Sequence, residues 1–309
     1  PEIKRKEEDQ IISWVEATAD EKEPKQVGFV VGAPGIGKTA LTNVVYNRLK
    51  NNQDYVVWGL KVDLVKFNDI TDIENKMHLY ISLVEAVRRC AATKERVVVI
   101  VDQIDALSLS LSSDRSPLSS LATFIKDISR ISNVRVLVSC REFDLEYDNT
   151  LSSIYSYSFG AEKWHINRFC ADEVKQVLRQ NGVPTEMNAQ DLEALGNPQM
   201  LATFLKVKEL NLPRGFEPAS LDFNSLYDVL WNEHIMKAKC HNTDRSKLLA
   251  CIDMIVDGMH TEQKISIPSA RIESQYTNEV SYLCSEGFLR KSGHQLQFTH
   301  QTWFDYAYA

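Results

Sequence analysis

Apolar positions along the chain fall into two alternating rhythms. Val27-Gly28-Phe29-Val30-Val31, Arg96-Val97-Val98-Val99-Ile100-Val101-Asp102 and Val134-Arg135-Val136-Leu137-Val138-Ser139-Cys140 are short, nearly continuous apolar runs. Runs of this kind predict strands buried on both faces, as in a parallel sheet. Tyr55 to Asp63 is β-rich and predicts another strand, and a fifth is expected near Trp164-His165-Ile166. Between them the spacing turns helical. Ile11, Ile12, Trp14 and Val15 form a narrow stripe within a Lys/Glu-rich segment from residue 2 to about 22, ended by Pro24. Leu41, Val44, Val45 and Leu49 mark a helix after the first strand. A long helix is expected from Ile73 to Ala92, and another from Leu118 to Ile131. The serines at 108, 110, 112, 113 and 116 predict a mobile loop.

After residue 168 the strand signals largely stop. Helices are predicted over Ala171–Gln180, Ala189–Leu195 and Gln199–Leu210, with Gly196-Asn197-Pro198 breaking the last two apart. Pro213, Gly215 and Pro218 predict a linker. Phe223, Leu226, Tyr227, Leu230, Trp231 and Ile235 then keep one helical face apolar. Helices over Ser246–His260 and Asn278–Glu286 follow, and Phe288 to Phe298 reads as a hairpin turning at Ser292-Gly293. Three helices and a hairpin predict a winged helix. The expected architecture is therefore α/β: a P-loop parallel sheet with helices on both faces over residues 1–168, a small helical domain over 169–219, and a winged-helix domain over 220–309.

Composition adds little to this picture. Of 309 residues, 44% are hydrophobic and 25% charged, ordinary for a globular chain. The net charge of -7 argues against a protein whose main task is coating nucleic acid, leaving a local basic patch open. The six cysteines form no CxxC pair, and Cys240-His241 has no second pair beside it. Free thiols suit a reducing, cytoplasmic setting. No run is long enough to span a bilayer, and no signal peptide is evident. The chain starts at Pro1-Glu2 and stops within the aromatic stretch Trp303 to Ala309, so a piece of a longer protein is expected.

The chemistry centres on Gly32-Ala33-Pro34-Gly35-Ile36-Gly37-Lys38-Thr39. It lies between the first strand and a helix, the context a P-loop requires. Glycines let the backbone curl until several N–H groups face phosphate oxygens, and the following helix adds its dipole, with Ala40 as a further candidate for nucleotide contact. Lys38 is expected on the outer phosphates and the Thr39 hydroxyl on magnesium. Asp102, at the carboxyl end of a buried strand, stands where a magnesium-associated carboxylate belongs. Gln103 follows it, and glutamine cannot take a proton. Asp105 is the nearest other carboxylate, either a base or water-positioner, or a loop residue or helix N-cap. Arg141 ends the next strand, where it would report a γ-phosphate or form a surface pair with Glu142 or Asp144. His300 follows the hairpin, where a structural hydrogen-bonding role is the ordinary one.

The glycine loop, Asp102-Gln103-Ile104-Asp105, Ser139-Cys140-Arg141, Gly196-Asn197-Pro198 and Phe298-Thr299-His300 occur in the order seen in STAND ATPases, and the chain resembles their NACHT and related branches. That resemblance implies ATP/ADP and Mg2+ as cofactors, Arg141 as a sensor of the third phosphate, Pro198 against the adenine, and His300 on the ADP phosphates in a closed form. It further implies slow hydrolysis and self-association of the ATP-bound form. An N-terminal effector and a C-terminal sensor triggered by a foreign protein would lie outside this stretch, in antiphage or innate defence. One departure stands out: the acidic residue that often closes the Asp-x-x-Asp-Glu box is Ala106 here. The alternative is an AAA+-like initiator or transcription regulator that binds DNA through its winged helix. Residues 275–282 carry no Lys or Arg, which weakens it, while Arg290, Lys291 and His294 keep it open.

Overall fold

A computed structural model describes residues 3–17, 25–65, 67–108, 115–156, 161–210, 221–238, 245–262 and 264–309. The chain divides into two compact units, Pro1–Arg168 and Phe169–Ala309. The middle of the serine run, the linker prolines with the 219/220 boundary, Pro24, and Cys240-His241 lie outside the described residues.

In the first unit, β1 (Val27–Val31), β2 (Tyr55–Lys61), β3 (Arg96–Asp102), β4 (Val134–Cys140) and β5 (Glu162–His165) form a five-stranded sheet in the order β2-β3-β4-β1-β5. Every pairing is parallel. The three apolar runs are buried along their whole length because helices cover both faces. Alternate residues serve opposite layers. Val30, Val98, Ile100 and Leu137 pack with α1 (Lys6–Glu16) and α2 (Lys38–Leu49), through Ile11, Ile12, Trp14, Val15, Leu41, Val45 and Leu49. Phe29, Val31, Val99, Val101, Val136 and Val138 pack on the other face. There they meet α3 (Ile70–Lys76), α4 (Leu83–Thr93), α6 (Ser116–Ile128) and α8 (Asn149–Tyr155). Two short helices, α5 (Asp105–Ser108) and α7 (Glu142–Tyr147), follow the carboxyl ends of β3 and β4.

Two expectations need correction here. The long helix over residues 73–92 is two helices, α3 and α4. His78 takes a left-handed φ of 53° after α3, and the Ser82 hydroxyl caps α4 by accepting from the Glu85 N–H. Met77 and Tyr80, which extended the apparent apolar rhythm, are exposed. The strand after Tyr55 stops at Lys61, and Asp63 lies in a 3-10 turn, Val62–Leu64.

The second unit holds α9 (Ala171–Gln180), α10 (Ala189–Leu195), α11 (Pro198–Glu209), α12 (Phe223–Trp231), α13 (Arg245–Thr261), α14 (Ser269–Ser285) and α15 (Gln301–Tyr308). A small antiparallel sheet is ordered β6-β8-β7, from Ile267–Pro268, Gln295–Phe298 and Leu289–Ser292. The strand β6 carries no sequence signal at its length. The helix expected from Asn278 begins at Ser269 and is kinked at Tyr276, whose φ and ψ are -129° and 43°. Among the described residues no helix is long and apolar enough to cross a membrane.

β1 has no room for a side chain at residue 28. A Cβ there would lie 2.5 Å from the Trp164 ring and 3.2 Å from Trp14, and those two rings already meet edge to face at 5.3 Å. Gly28→Ala should therefore cost about 1–3 kcal/mol by overpacking. Urea denaturation checks this, and an unchanged midpoint would show that the tryptophans can yield.

Candidate functional site

The loop from Gly32 to Gly37 links the carboxyl end of β1 to α2. Gly35 and Gly37 hold left-handed φ values of 71° and 94°, which β-carbon-bearing residues rarely adopt. At Gly32 a Cβ would sit 2.8 Å from the Ile166 carbonyl oxygen. The loop is thus a backbone cradle that side chains would obstruct. Its large apolar member, Ile36, is buried in the layer with α1 and α2, anchoring the loop from outside.

Lys38 folds back over this cradle. Its Nζ donates to the carbonyls of Gly32 at 2.8 Å and Ala33 at 2.9 Å. Burial pushes the ammonium pKa down and the nearby Arg141 charge adds to this, against opposing pulls from Asp105, Cys140 and Asp102. Thr39, beside it on α2, accepts a 3.1 Å hydrogen bond on its hydroxyl from Gln103 Nε2.

Asp102 ends β3 and is buried. Its Oδ1 accepts from Ser139 Oγ at 2.5 Å and Thr42 Oγ1 at 3.3 Å. Ser139 Oγ also accepts from the Gln103 N–H at 2.9 Å. One hydroxyl on β4 thereby fixes both the Asp102 carboxylate and the next peptide, where Gln103 has a φ of 60°. That strained conformation is how Gln103 turns back toward Thr39. Sequence reasoning missed Thr42 and Ser139. Their signal was present, since a buried strand-end carboxylate needs hydroxyl or N–H partners on the elements beside it.

Arg141 pairs with neither of its expected partners but with Asp105, its Nε lying 3.2 Å from Oδ2. Glu142 meets His165 instead, at 3.0 Å. Burial pushes the Asp105 carboxyl up to about 6, with Asp144 adding, while Lys38 and Arg141 pull the other way. The ion pair would lower that value by itself; burial outweighs it because the side chain is only 9% exposed whereas Arg141 is 35% exposed and partly screened.

The donor set fits a magnesium nucleotide. Glycine backbone and the Lys38 ammonium suit phosphate oxygens, and the Thr39 hydroxyl with the Asp102 carboxylate suits a hard divalent ion. When bound, the ion would neutralise phosphate charge. Lys38, Thr39, Asp102, Asp105 and Arg141 all come from the carboxyl ends of β1, β3 and β4 or the turns beyond them, where open α/β sheets bind ligands. The remaining cradle positions, Ala33, Pro34 and Ala40, are exposed.

The other two candidates belong to the second unit. Pro198 opens α11 at its first position, behind Asn197, whose side chain accepts from the N–H groups of Gln199 and Met200. His300 is exposed and stands at the N-cap of α15. Gln199 Nε2 donates to Thr302 Oγ1 at 2.7 Å, and that hydroxyl lies 2.7 Å from Tyr227 Oη. The starts of α11 and α15 are therefore tied together, over a Tyr227–Trp303 stack at 3.9 Å.

The raised Asp105 pKa sets a pH dependence. The folded chain holds this proton up to about pH 6, whereas the unfolded chain releases it near the ordinary carboxylate value of 3.8. This contribution to stability is complete below the unfolded value and is lost as pH rises through about 6. Asp105→Asn should remove a loss on the order of 2 kcal/mol between acid and neutral pH. Urea denaturation of the nucleotide-free protein at both pH values measures it; identical pH slopes in variant and parent would contradict the burial argument.

Residues 29–155 match the family model of the ATPase family associated with various cellular activities (AAA). No curated protein matches the chain. Solved structures similar to it include the following three. The Aeropyrum pernix ORC2 protein in its ADP form is 14% identical, with 99% of this chain and 94% of that one covered and a TM-score of 0.48. The Walker-type ATPase of Pyrococcus abyssi is 13% identical, with 99% and 96% covered and a TM-score of 0.44. Cdc6p from Pyrobaculum aerophilum is 12% identical, with 99% and 94% covered and a TM-score of 0.44. The P-loop and its carboxylate lie in the stretch with the AAA match, and the chain is a P-loop ATPase.

Proposed function

We propose that the chain is the nucleotide-binding module of a STAND-type signalling protein, a switch set by ATP or ADP that hydrolyses slowly. The observation that carries this reading is the Gln103–Thr39 hydrogen bond. The side chain following the strand-end aspartate is an amide already engaged on the expected magnesium-binding hydroxyl. It cannot accept a proton from water. The next carboxylate, Asp105, is tied to Arg141. Such a site favours retention of nucleotide over rapid turnover.

A switch needs a contact that differs between its two states. We assign that contact to the second unit, with α9–α11 as the helical domain and α12–α15 with the small sheet as a winged helix. The Gln199–Thr302 bond supports the pairing, because it ties the helix that Pro198 opens to the helix that follows His300. In this reading ADP holds the module closed and ATP permits self-association, which activates an effector fused outside this stretch.

The DNA-binding alternative draws on the same small sheet beside α14, a shape suited to a winged helix. Two of its basic residues are held in ion pairs: Lys291 pairs with Glu273 at 2.7 Å, and Arg271 with Glu262 at 2.6 Å. A gel shift at two salt concentrations separates the readings, since phosphate contacts weaken steeply with salt.

Gln103→Glu should raise kcat for ATP by ~100-fold, the low end of what a positioned base contributes. Phosphate-release kinetics check this, and an unchanged rate would show that hydrolysis is limited elsewhere. His300→Ala should speed ADP release and favour oligomers of the full-length protein in light scattering. Unaltered release would move the lock to another residue.

A further inference from the structure

The peptide between Ile36 and Gly37 is held from outside the loop. Arg5, one residue before α1, donates from Nη2 to the Ile36 carbonyl oxygen at 2.9 Å. Its Nη1 donates to the Asn167 carbonyl oxygen, also at 2.9 Å. Asn167 follows Ile166, whose N–H donates to the Val31 carbonyl at 2.8 Å and whose own carbonyl closes off the space at Gly32. One guanidinium thus bridges the cradle itself, at Ile36, to the backbone segment beside it, at Asn167.

A trans peptide is planar, with its C=O and N–H pointing in opposite directions. Fixing the Ile36 oxygen toward Arg5 therefore turns the Gly37 N–H away from it. Gly37, with no β-carbon, can adopt the left-handed φ of 94° that this peptide orientation requires. A guanidinium–carbonyl bond is charge-assisted and polarises the peptide it touches, which makes the opposite N–H a better donor. The planar fork holds the two carbonyls in a fixed relation, whereas a lysine ammonium is a compact donor on a flexible stem.

We propose that Arg5 is a positioning residue for nucleotide binding: it aims the Gly37 N–H at a phosphate of the nucleotide and holds the cradle in its binding shape. The inference rests on the P-loop reading above. Arg5 touches neither the attacking water nor the γ-phosphate in this account, so its effect falls on affinity and not on the chemical step.

Arg48 provides the control. It pairs with Glu8 at 3.0 Å and Asp9 at 2.8 Å, securing α1 to α2 without contacting the cradle. The experiment measures binding of fluorescent ADP and ATP analogues with magnesium, and steady-state ATP hydrolysis, in the full chain. Arg5→Ala should weaken both nucleotides about tenfold, the loss expected for one charge-assisted hydrogen bond. The kcat at saturating ATP should stay within about twofold of the parent, as expected when ground-state and transition-state binding fall together. Arg5→Lys should fall between the parent and Arg5→Ala, and Arg48→Ala should bind as the parent does. Parent-like affinity in Arg5→Ala, or an equal loss in Arg48→Ala, would overturn the proposal. Should Arg5→Ala not fold, Arg5→Lys decides: weakened binding supports the assignment and parent-like binding overturns it. A parent chain that binds neither analogue would instead overturn the P-loop reading.

Discussion

A carboxylate at the end of a strand buried on both faces must have its oxygens satisfied, and the way Asp102 meets that demand sets the rest of the site. One oxygen takes hydroxyls from Ser139 on β4 and Thr42 on α2. The two strands and the P-loop helix are thereby locked in relation to one another around a single acceptor. Ser139 extends the arrangement to the Gln103 N–H, and Gln103 returns to Thr39, completing a circuit of short polar contacts. Buried polar groups in such a circuit are costly to leave unmade, so each member constrains the others.

Outside that circuit the charges are balanced unevenly. Lys38 and Arg141 share the carboxylate field of Asp102 and Asp105, and burial shifts both the lysine and the Asp105 carboxyl toward their neutral forms. A triphosphate with its ion would alter this balance strongly, because it brings charge of both signs into a low-dielectric site. That sensitivity supports the proposed reading of the site as a detector of which nucleotide is present. The amide at Gln103 is engaged on the Thr39 hydroxyl and cannot take a proton from water, which supports the proposed switch.

Legibility from the amino-acid pattern varied with how local the cause was. The runs at 27–31, 96–102 and 134–140 announce buried parallel strands because both faces are covered and polar residues are excluded. The P-loop is legible because left-handed backbone demands glycine at fixed positions. Asn197-Pro198 marks a helix start through capping chemistry written into adjacent residues. The break between α3 and α4 was obscured by Met77 and Tyr80, apolar side chains that the fold leaves in solvent. The Arg141–Asp105 pair joins residues 36 positions apart in sequence across two strand ends, and Arg5 reaches a carbonyl 31 residues away. Neither partner could be named from spacing, since a lysine- and glutamate-rich segment offers many equivalent cations.

Calorimetric titration of ATP and ADP into the full chain, with and without magnesium, tests the central claim most directly. The account predicts a single saturable site per chain for each nucleotide, with magnesium tightening ATP through Thr39 and Asp102. Absence of binding heat for both nucleotides across a range of temperatures would contradict it.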